Sequence, residues 1–478
     1  MNVTINYFML MPFLILTGGV IVLSFMGVLK DKVKNYSGVI ASLFLFGVLY
    51  YFVKLLPQLT YRSLDYMNGM IYYNAFNIYL SILVIVCGIA SFVLAEGFFN
   101  LEEFKHPEFY AIVLASIAGL LVMINTNNLI NLFIGLELTS IPLYATVAYL
   151  RYKESSVEGA LKYFILGSIA SGFFLFGIAV IYGATGSVIF KDIMIVKKGD
   201  ELFKLGLLFL IVGIGFKASA APFHMWTPDA YEGAPTPVTA FMSIAPKAVA
   251  IVILVKVLYI AFPDMFALWE KGIFVIAILT VLIGNFGALV QNSVKRMLAY
   301  SSIAHAGYLL MAIVAFSIEG ISAILFYLAG YLLINIGAFG SLSLLKIGDN
   351  DYVEYNHLRG IGYKYPLFGI LLSIFMFSLA GIPATIGFVG KFYVFKSLIV
   401  KEQYILALIG ILGSLISVYY YLKVVVFMYM KENPEEREFK FSFLTLVLLI
   451  ICAAGVIYFG IFPQGINKLA VLAAKVLV

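Results

Sequence analysis

Apolar runs of about 20 residues, separated by short polar stretches, follow one another along the whole chain. A helix needs about that many residues to cross the hydrocarbon core of a bilayer. Fourteen runs qualify, beginning near Tyr7, Gly38, Tyr73, Pro107, Asn128, Gly159, Leu202, Pro237, Ile273, Arg296, Gly320, Pro366, Tyr404 and Phe441. At about 22 residues each they take up about 300 residues. The loops between them leave no stretch long enough for a second folded domain. No small-residue cleavage site follows the first run, so it is read as a retained span rather than a signal peptide. The expected fold class is all-α: a polytopic membrane protein of about 14 transmembrane helices embedded in a lipid bilayer.

Composition sharpens this by exclusion. Of the 478 residues, 63% are hydrophobic and 12% charged, against about 45–50% and about 25% in a soluble domain. A water-soluble enzyme, a disordered chain and a nucleic-acid binder are ruled out. The net charge of +6 is too diffuse to suggest a polyanionic partner. Cys87 and Cys452, the only cysteines, each lie in an apolar run and suit neither a disulfide framework nor a metal site. Odd-numbered loops carry fourteen Lys and Arg residues, and even-numbered loops with the termini carry eleven. That bias favours odd loops in the cytoplasm and both termini outside, on the periplasmic side.

Six lysines remain inside the spans: Lys162, Lys217, Lys247, Lys256, Lys391 and Lys423. Glu137 is the one acid well inside a span. Charges at the bilayer centre cost about 2.5–3.5 kcal/mol each on insertion scales and mark functional sites by default. Lys256 and Lys423 lie late in their spans, where a long side chain can snorkel to the headgroups. Lys162, a few residues into its span, can do the same. Lys217, Lys247 and Lys391 lie deeper, and one carboxylate cannot neutralise them all. For these the alternatives are structural contacts inside the bundle or a proton relay, since lysine, unlike arginine, can give up its proton when desolvated. His224 and His305 stand in apolar context without a second ligand at metal spacing. Each is either a hydrogen-bonded structural histidine or a neutral proton carrier. His106 and His357 fall in loops.

Two spans carry breakers at mid-depth, around Pro222 and Pro383. Proline frees a backbone carbonyl, which in lipid is tolerated only against protein or a wet cavity. The run from Pro366 to Val400 is too long for one straight span and fits two half-helices. The two prolines are 161 residues apart in sequence, which equals five spans. An odd number of spans makes a repeat inverted, a known transporter design with discontinuous helices at the midplane. The chain then divides into three first helices (1–106), two inverted five-helix repeats (107–262 and 273–430) and a last helix with its tail (441–478), all in a single membrane domain, 1–478. No dinucleotide-binding glycine motif, Walker-type loop or redox ligand cluster is present. An ion pathway driven from elsewhere is the natural reading.

The motifs also resemble a known family. Phe216-Lys-Ala-Ser-Ala-Ala-Pro-Phe-His-Met-Trp-Thr-Pro-Asp-Ala-Tyr-Glu-Gly-Ala-Pro235 is similar to the signature of the antiporter-like membrane subunits of respiratory complex I, in the form carried by subunit N rather than L or M. Gly135-Leu-Glu137, Gly159-Ala-Leu-Lys162, Arg296 through Tyr308 and Gly381 through Lys391 add further matches in order. Lys391 stands where subunit M would carry a glutamate, and the long lateral helix of subunit L is missing.

This resemblance implies a non-redox, proton-translocating subunit of NADH:quinone oxidoreductase in a bacterial inner (plasma) membrane. It implies neighbours of the subunit M and K types, and NADH, FMN, iron–sulfur clusters and quinone in partner subunits, with no cofactor on this chain. Carried over motif by motif, Glu137 pairs with Lys217, Lys247 is the central lysine and Lys391 the terminal one. His305 bridges, Lys162 stands beside the first channel, and His224 is secondary. A subunit of a multi-subunit sodium/proton antiporter or of a membrane-bound hydrogenase shares these features and stays open. A stand-alone transporter of an organic substrate is disfavoured by the small loops.

Overall fold

The computed structural model describes residues 6–29, 34–59, 62–99, 107–195, 201–348, 350–432 and 437–477. Six basic or histidine positions counted above, Lys30, Lys32, Lys105, His106, Lys197 and Lys198, lie outside the described residues.

Among the described residues, twelve helices are long and apolar enough to cross a membrane. They are α1 (Tyr7–Met26), α2 (Ser37–Leu55), α3 (Ala75–Phe99), α4 (Pro107–Ile124), α5 (Leu129–Val147), α6 (Glu154–Thr185), α10 (Thr236–Lys256), α11 (Phe266–Leu289), α12 (Val294–Val314), α13 (Ile318–Ser343), α16 (Tyr404–Met430) and α17 (Phe443–Ile461). Two further crossings are broken in the middle. One is α8 (Glu201–Lys217) followed by α9 (Trp226–Gly233), and the other is α14 (Pro366–Ala380) followed by α15 (Ile386–Val400). Twelve continuous and two broken spans account for the fourteen apolar runs. Two starts differ from the pattern: α6 begins at Glu154 and α11 at Phe266, each ahead of its apolar run. In both, polar or aromatic residues at the membrane edge extend the helix beyond the hydrocarbon. A short α7 (Phe190–Ile195), a terminal α18 (Gln464–Lys475) and a hairpin of β1 (Leu64–Tyr66) and β2 (Ile71–Tyr73) complete the elements used below.

Loop contacts show that each broken pair crosses as one span. Counted that way, loops of the same parity bond to one another. On the even face Asn127 N donates to Gly69 O at 2.8 Å, Phe190 N to Asn127 O at 3.0 Å, and Gln403 Nε2 to Glu270 at 2.8 Å. On the odd face Lys153 pairs with Asp351 at 2.9 Å, Arg296 with Glu232 at 2.7 Å, and Lys364 Nζ donates to Arg437 O at 2.8 Å.

The centre of the bundle is α10, in which every residue is buried. α12 and α13 flank it and are nearly as enclosed. These helices are apolar or small all round, as a helix must be that has no lipid or water face. α1, α2 and α17 instead expose large apolar side chains such as Phe25, Leu43 and Ile451, which is the surface a bilayer covers. Four of the six in-span lysines, Lys217, Lys247, Lys256 and Lys391, are buried inside the bundle.

Cysteine labelling checks this arrangement. Lys191→Cys in the even loop before α8 and Tyr152→Cys in the odd loop before α6 should react with a membrane-impermeant maleimide from opposite sides of sealed vesicles. Labelling of both from one side would break the span count. Cys87 and Cys452 are buried and should stay silent.

Candidate functional site

Each broken span ends its first half with a lysine ammonium close to the helix C-terminus, where the unpaired carbonyls and the helix dipole favour a cation. Lys217 is the last residue of α8. The chain then leaves the helix, with Ser219 at φ 59°, and re-enters at Trp226. Trp226 fixes the break from both sides. Its indole N–H donates to Phe216 O at 3.1 Å, and its ring stacks on Tyr163 of α6 at 4.2 Å. Lys217 Nζ lies 3.4 Å from the Tyr163 hydroxyl, which accepts its hydrogen bond. It also stands 5.0 Å from the Tyr163 ring centre and 5.3 Å from that of Tyr144, within cation–π range.

Glu137 does not touch Lys217, contrary to the expected ion pair. Its carboxylate is within electrostatic reach of the ammonium, but Oε1 is buried without a hydrogen-bond donor from the protein, as is the Tyr144 hydroxyl beside it. Tyr144 and Tyr163 pack edge to face at 4.6 Å, and Lys217 lies within cation–π range of both rings. Lys162, its side chain 43% exposed, stays near the odd-loop face, and its ammonium is paired there. It binds Glu158 at 2.6 Å and Asp229 of α9 at 2.7 Å, and Asp229 in turn holds Arg296 at 2.7 Å. Glu137 is therefore not the sole acid among the spans: Asp229, on the second half of a broken one, ties α6 to α12. His224 sits half-buried in the break, with Nδ1 unpartnered and no contact to any of these lysines among the described residues.

The second half of the site forms a tighter group. Lys247, on the fully enclosed α10, donates to the carbonyl and hydroxyl oxygens of Ser302 at 2.9 and 2.7 Å. One turn along α12 from Ser302 is His305. Its Nδ1 is hydrogen-bonded to Tyr327 and its Nε2 to Tyr421 at 3.0 Å, while Tyr421 also bonds Ser301. The imidazole lies within electrostatic reach of both Lys247 and Lys391. Lys391, on α15, reaches back to the end of α14 and donates to Leu379 O at 2.8 Å, Ala380 O at 3.1 Å and Ser414 Oγ at 3.0 Å. Gly381, at φ 87°, ends α14 and leaves room for the lysine stem, whose Cδ would lie 3.2 Å from any Cβ there. A cavity of about 10 Å³ lined by His305, Tyr327, Tyr331, Gly387 and Gly390 opens between the imidazole and α15, about the space of one water.

Burial extends to lysines that the sequence pattern left in loops or at span ends. Lys256 is 1% exposed and donates to backbone oxygens of Ile124 and Thr126, so it does not snorkel. Lys295 is 2% exposed and donates to the carbonyls of Glu232 and Ala234. Lys346 is 3% exposed and lies 3.9 Å from the Phe98 ring centre. No periodicity could have found these three, because their burial depends on which helix end packs beside them. Lys423 does approach its span end, over the Tyr355 ring at 4.1 Å. Among the described residues no group of three or more His, Cys, Asp or Glu comes together as metal ligands.

The sequence profile of the family described as NADH:quinone oxidoreductase/Mrp antiporter, TM, matches residues 126–417. The chain belongs to this family. It is 41% identical over 409 residues to NADH-quinone oxidoreductase subunit N of Trichlorobacter lovleyi, covering 84% of each protein. Its fold superposes on a chain of respiratory complex I from Thermus thermophilus with bound aureothin at a TM-score of 0.81, with 31% identity over 96% of this chain and 98% of that one. A chain of the Mrp complex from Dietzia sp. has the same fold at a TM-score of 0.89 and 18% identity, covering 99% and 98%. The matched family segment contains every lysine described above from Lys162 to Lys391, with Glu137 and both histidines.

Within this family member, Asp229 is the joint between α6, α9 and α12. Asp229→Asn should lower the stability of the assembled protein by about 1 kcal/mol, the value of a partly exposed charge pair. Thermal unfolding at low and high salt checks this: the loss should shrink as salt screens the network. A loss that is the same at both salt concentrations would assign it to packing.

Proposed function

We propose that this chain is the subunit N-type, antiporter-like membrane subunit of a proton-pumping NADH:quinone oxidoreductase. The observation that carries the reading is the series of buried lysines, Lys217, Lys247 and Lys391, each solvated by neutral oxygens or aromatic rings and none in contact with a carboxylate among the described residues. An ammonium held this way can be discharged without stranding a partner charge. The path runs Glu137, Lys217, Lys247, His305, Lys391. Glu137 acts on Lys217 through space, and His305 with Tyr327 and Tyr421 connects Lys247 to Lys391. Lys162 with Asp229 borders the path at the odd-loop face, and His224 lines the first break as a secondary site. The repeats 107–262 and 273–430 each contribute one break, so the path crosses between inverted halves.

No redox group belongs to this chain in the reading. NADH, FMN, iron–sulfur clusters and quinone reside in partner subunits, and electron transfer there supplies the energy. Moving one charge across about 100 mV takes about 2.3 kcal/mol. A change of electrostatics at one end of the path must therefore shift a lysine by more than one pH unit, worth about 1.36 kcal/mol. The subunit sits in the bacterial plasma membrane between neighbours of the subunit M and K types, with odd loops cytoplasmic and both termini periplasmic.

Lys247 is the position to test. Lys247→Ala should leave the complex assembled, because Ser302 keeps its own bond to Ala299 O, and should abolish proton uptake into vesicles. Lys247→Arg should be nearly as damaging, since arginine does not release its proton in a protein. Glu137→Gln should lower quinone reduction and pumping together. Normal pumping in Lys247→Ala would refute the assignment.

A further inference from the structure

Lys256 is one of three buried lysines, with Lys295 and Lys346, that the path above does not use. It is the last residue of α10, and its Nζ donates to Ile124 O at 2.8 Å and Thr126 O at 2.7 Å. Ile124 is the last residue of α4, so Lys256 caps a helix C-terminus with two carbonyls, as Lys391 caps α14. No carboxylate among the described residues lies within ion-pairing distance. A pure staple for two carbonyls does not require a charge, and burying an ammonium with neutral partners alone costs several kcal/mol. A helix C-terminus favours a cation through its free carbonyls and dipole, so a role beyond that staple needs its own explanation.

The surroundings supply that explanation. Thr126 belongs to the even-face loop Asn125–Asn128, which is stitched to the hairpin and to α3. Tyr72 N donates to Asn125 O at 2.8 Å, Asn125 Nδ2 to Ser81 Oγ at 3.1 Å, Ser81 Oγ to Asn77 O at 2.9 Å, and Asn77 Nδ2 to Tyr72 O at 2.6 Å. Asn127 N donates to Gly69 O at 2.8 Å. The amide nitrogens of Asn77 and Asn125 are thereby committed to protein acceptors, which fixes which way each amide faces. The amide oxygens of Asn77, Asn125 and Asn127 are buried, at 0%, 1% and 6% residue exposure, and accept no hydrogen bond from the protein. Asn125 and Asn127 flank Thr126, whose carbonyl takes the ammonium, and Asn125 is linked through Ser81 to Asn77, so three acceptors without a protein donor lie in the segments around Lys256. Leaving such a group dry costs about 1–3 kcal/mol, so the cluster is built to take a hydrogen-bond donor. Past Lys256 the helix widens into a π turn, Val257–Ala261, a feature found often at functional sites.

Position completes the argument. Lys256 is nine residues beyond Lys247, about 13.5 Å nearer the even-loop face and half a turn round the helix. It faces α4 and the start of α5, the helix that carries Glu137 about 13.5 Å deeper. We propose that Lys256 is a further proton-carrying residue of this subunit, exchanging protons between the buried path and the even-loop face through water bound by the amide oxygens of Asn77, Asn125 and Asn127. In the step an N–H bond of the ammonium breaks, its electron pair stays on Nζ, and the proton passes to water held by the amide oxygens. The neutral amine is then recharged from the path.

This inference rests on the proton-translocating function proposed above. The test uses the whole complex in sealed vesicles, with Lys256→Gln, Lys256→Arg and Lys256→Met beside the Lys247→Ala control. Lys256→Arg keeps a cation on the two carbonyls but cannot discharge, and Lys256→Gln keeps a neutral donor. Both are expected to assemble and to lose most proton uptake, with quinone reduction falling alongside. Full proton uptake in either variant overturns the inference. So does failure of all three variants to assemble, which assigns Lys256 to structure alone. If Lys247→Ala pumps normally, the function itself is wrong. If Lys247→Ala is dead while Lys256→Gln pumps, only the role of Lys256 is lost.

Discussion

A lysine ammonium inside a bilayer has to find oxygen, and this protein supplies that oxygen mostly from its own backbone. Lys391 takes two carbonyls at the end of α14, Lys247 takes a carbonyl and hydroxyl of α12, and Lys256 takes carbonyls at and just beyond the end of α4. A regular helix offers few free carbonyls, because each is spent on an N–H four residues on. Free ones exist at helix ends, and a helix broken at mid-depth brings an end to the membrane centre. Lys391 uses the end made by a break, Lys256 the end of the unbroken α4, and Lys247 shares a mid-helix carbonyl with the Ser302 hydroxyl.

The same requirement explains the packing around the site. The enclosed α10 can carry Lys247 only because neighbours on every side exclude lipid. Aromatic residues line much of the rest. Tyr144, Tyr163 and Trp226 surround Lys217, and Tyr327, Tyr331 and Tyr421 surround His305. A phenol presents an apolar ring to the bundle and a hydroxyl to the charge, so it shields a polar path without breaking it. At the odd-loop face Asp229, Glu232 and Glu158 meet Lys162 and Arg296. Ion pairs there hold helices together, while deeper cations stay free of counter-charges that would pin them.

Glu137 and Lys217 illustrate how distance changes meaning. In direct contact they would form a buried pair, costly to break and slow to respond. Out of contact they still act on each other through space, and neither holds the other as a hydrogen-bond partner. The Asp229 network is different at the same broken span, because ion pairs fix the second half-helix while Lys217, at the end of the first, has none among the described residues.

Apolar run length by itself determined the class, the fourteen crossings and the positions of both breaks, since hydrocarbon thickness and the missing N–H of Pro222 and Pro383 act locally and leave their mark in consecutive residues. The charged positions Glu137, Lys217, Lys247 and Lys391 stood out for the same reason: lipid makes any charge inside a run conspicuous. Partnership was not legible. Whether Glu137 touches Lys217, whether Lys162 finds Asp229 across 67 positions, and whether Lys256 reaches water or the end of α4 all depend on which helices lie side by side. Lys295 and Lys346 looked like loop residues because sequence shows the end of a span but not the neighbouring helix end that covers it. Only the tertiary structure decides which carbonyl meets which ammonium, because that contact joins residues whose separation along the chain carries no signal.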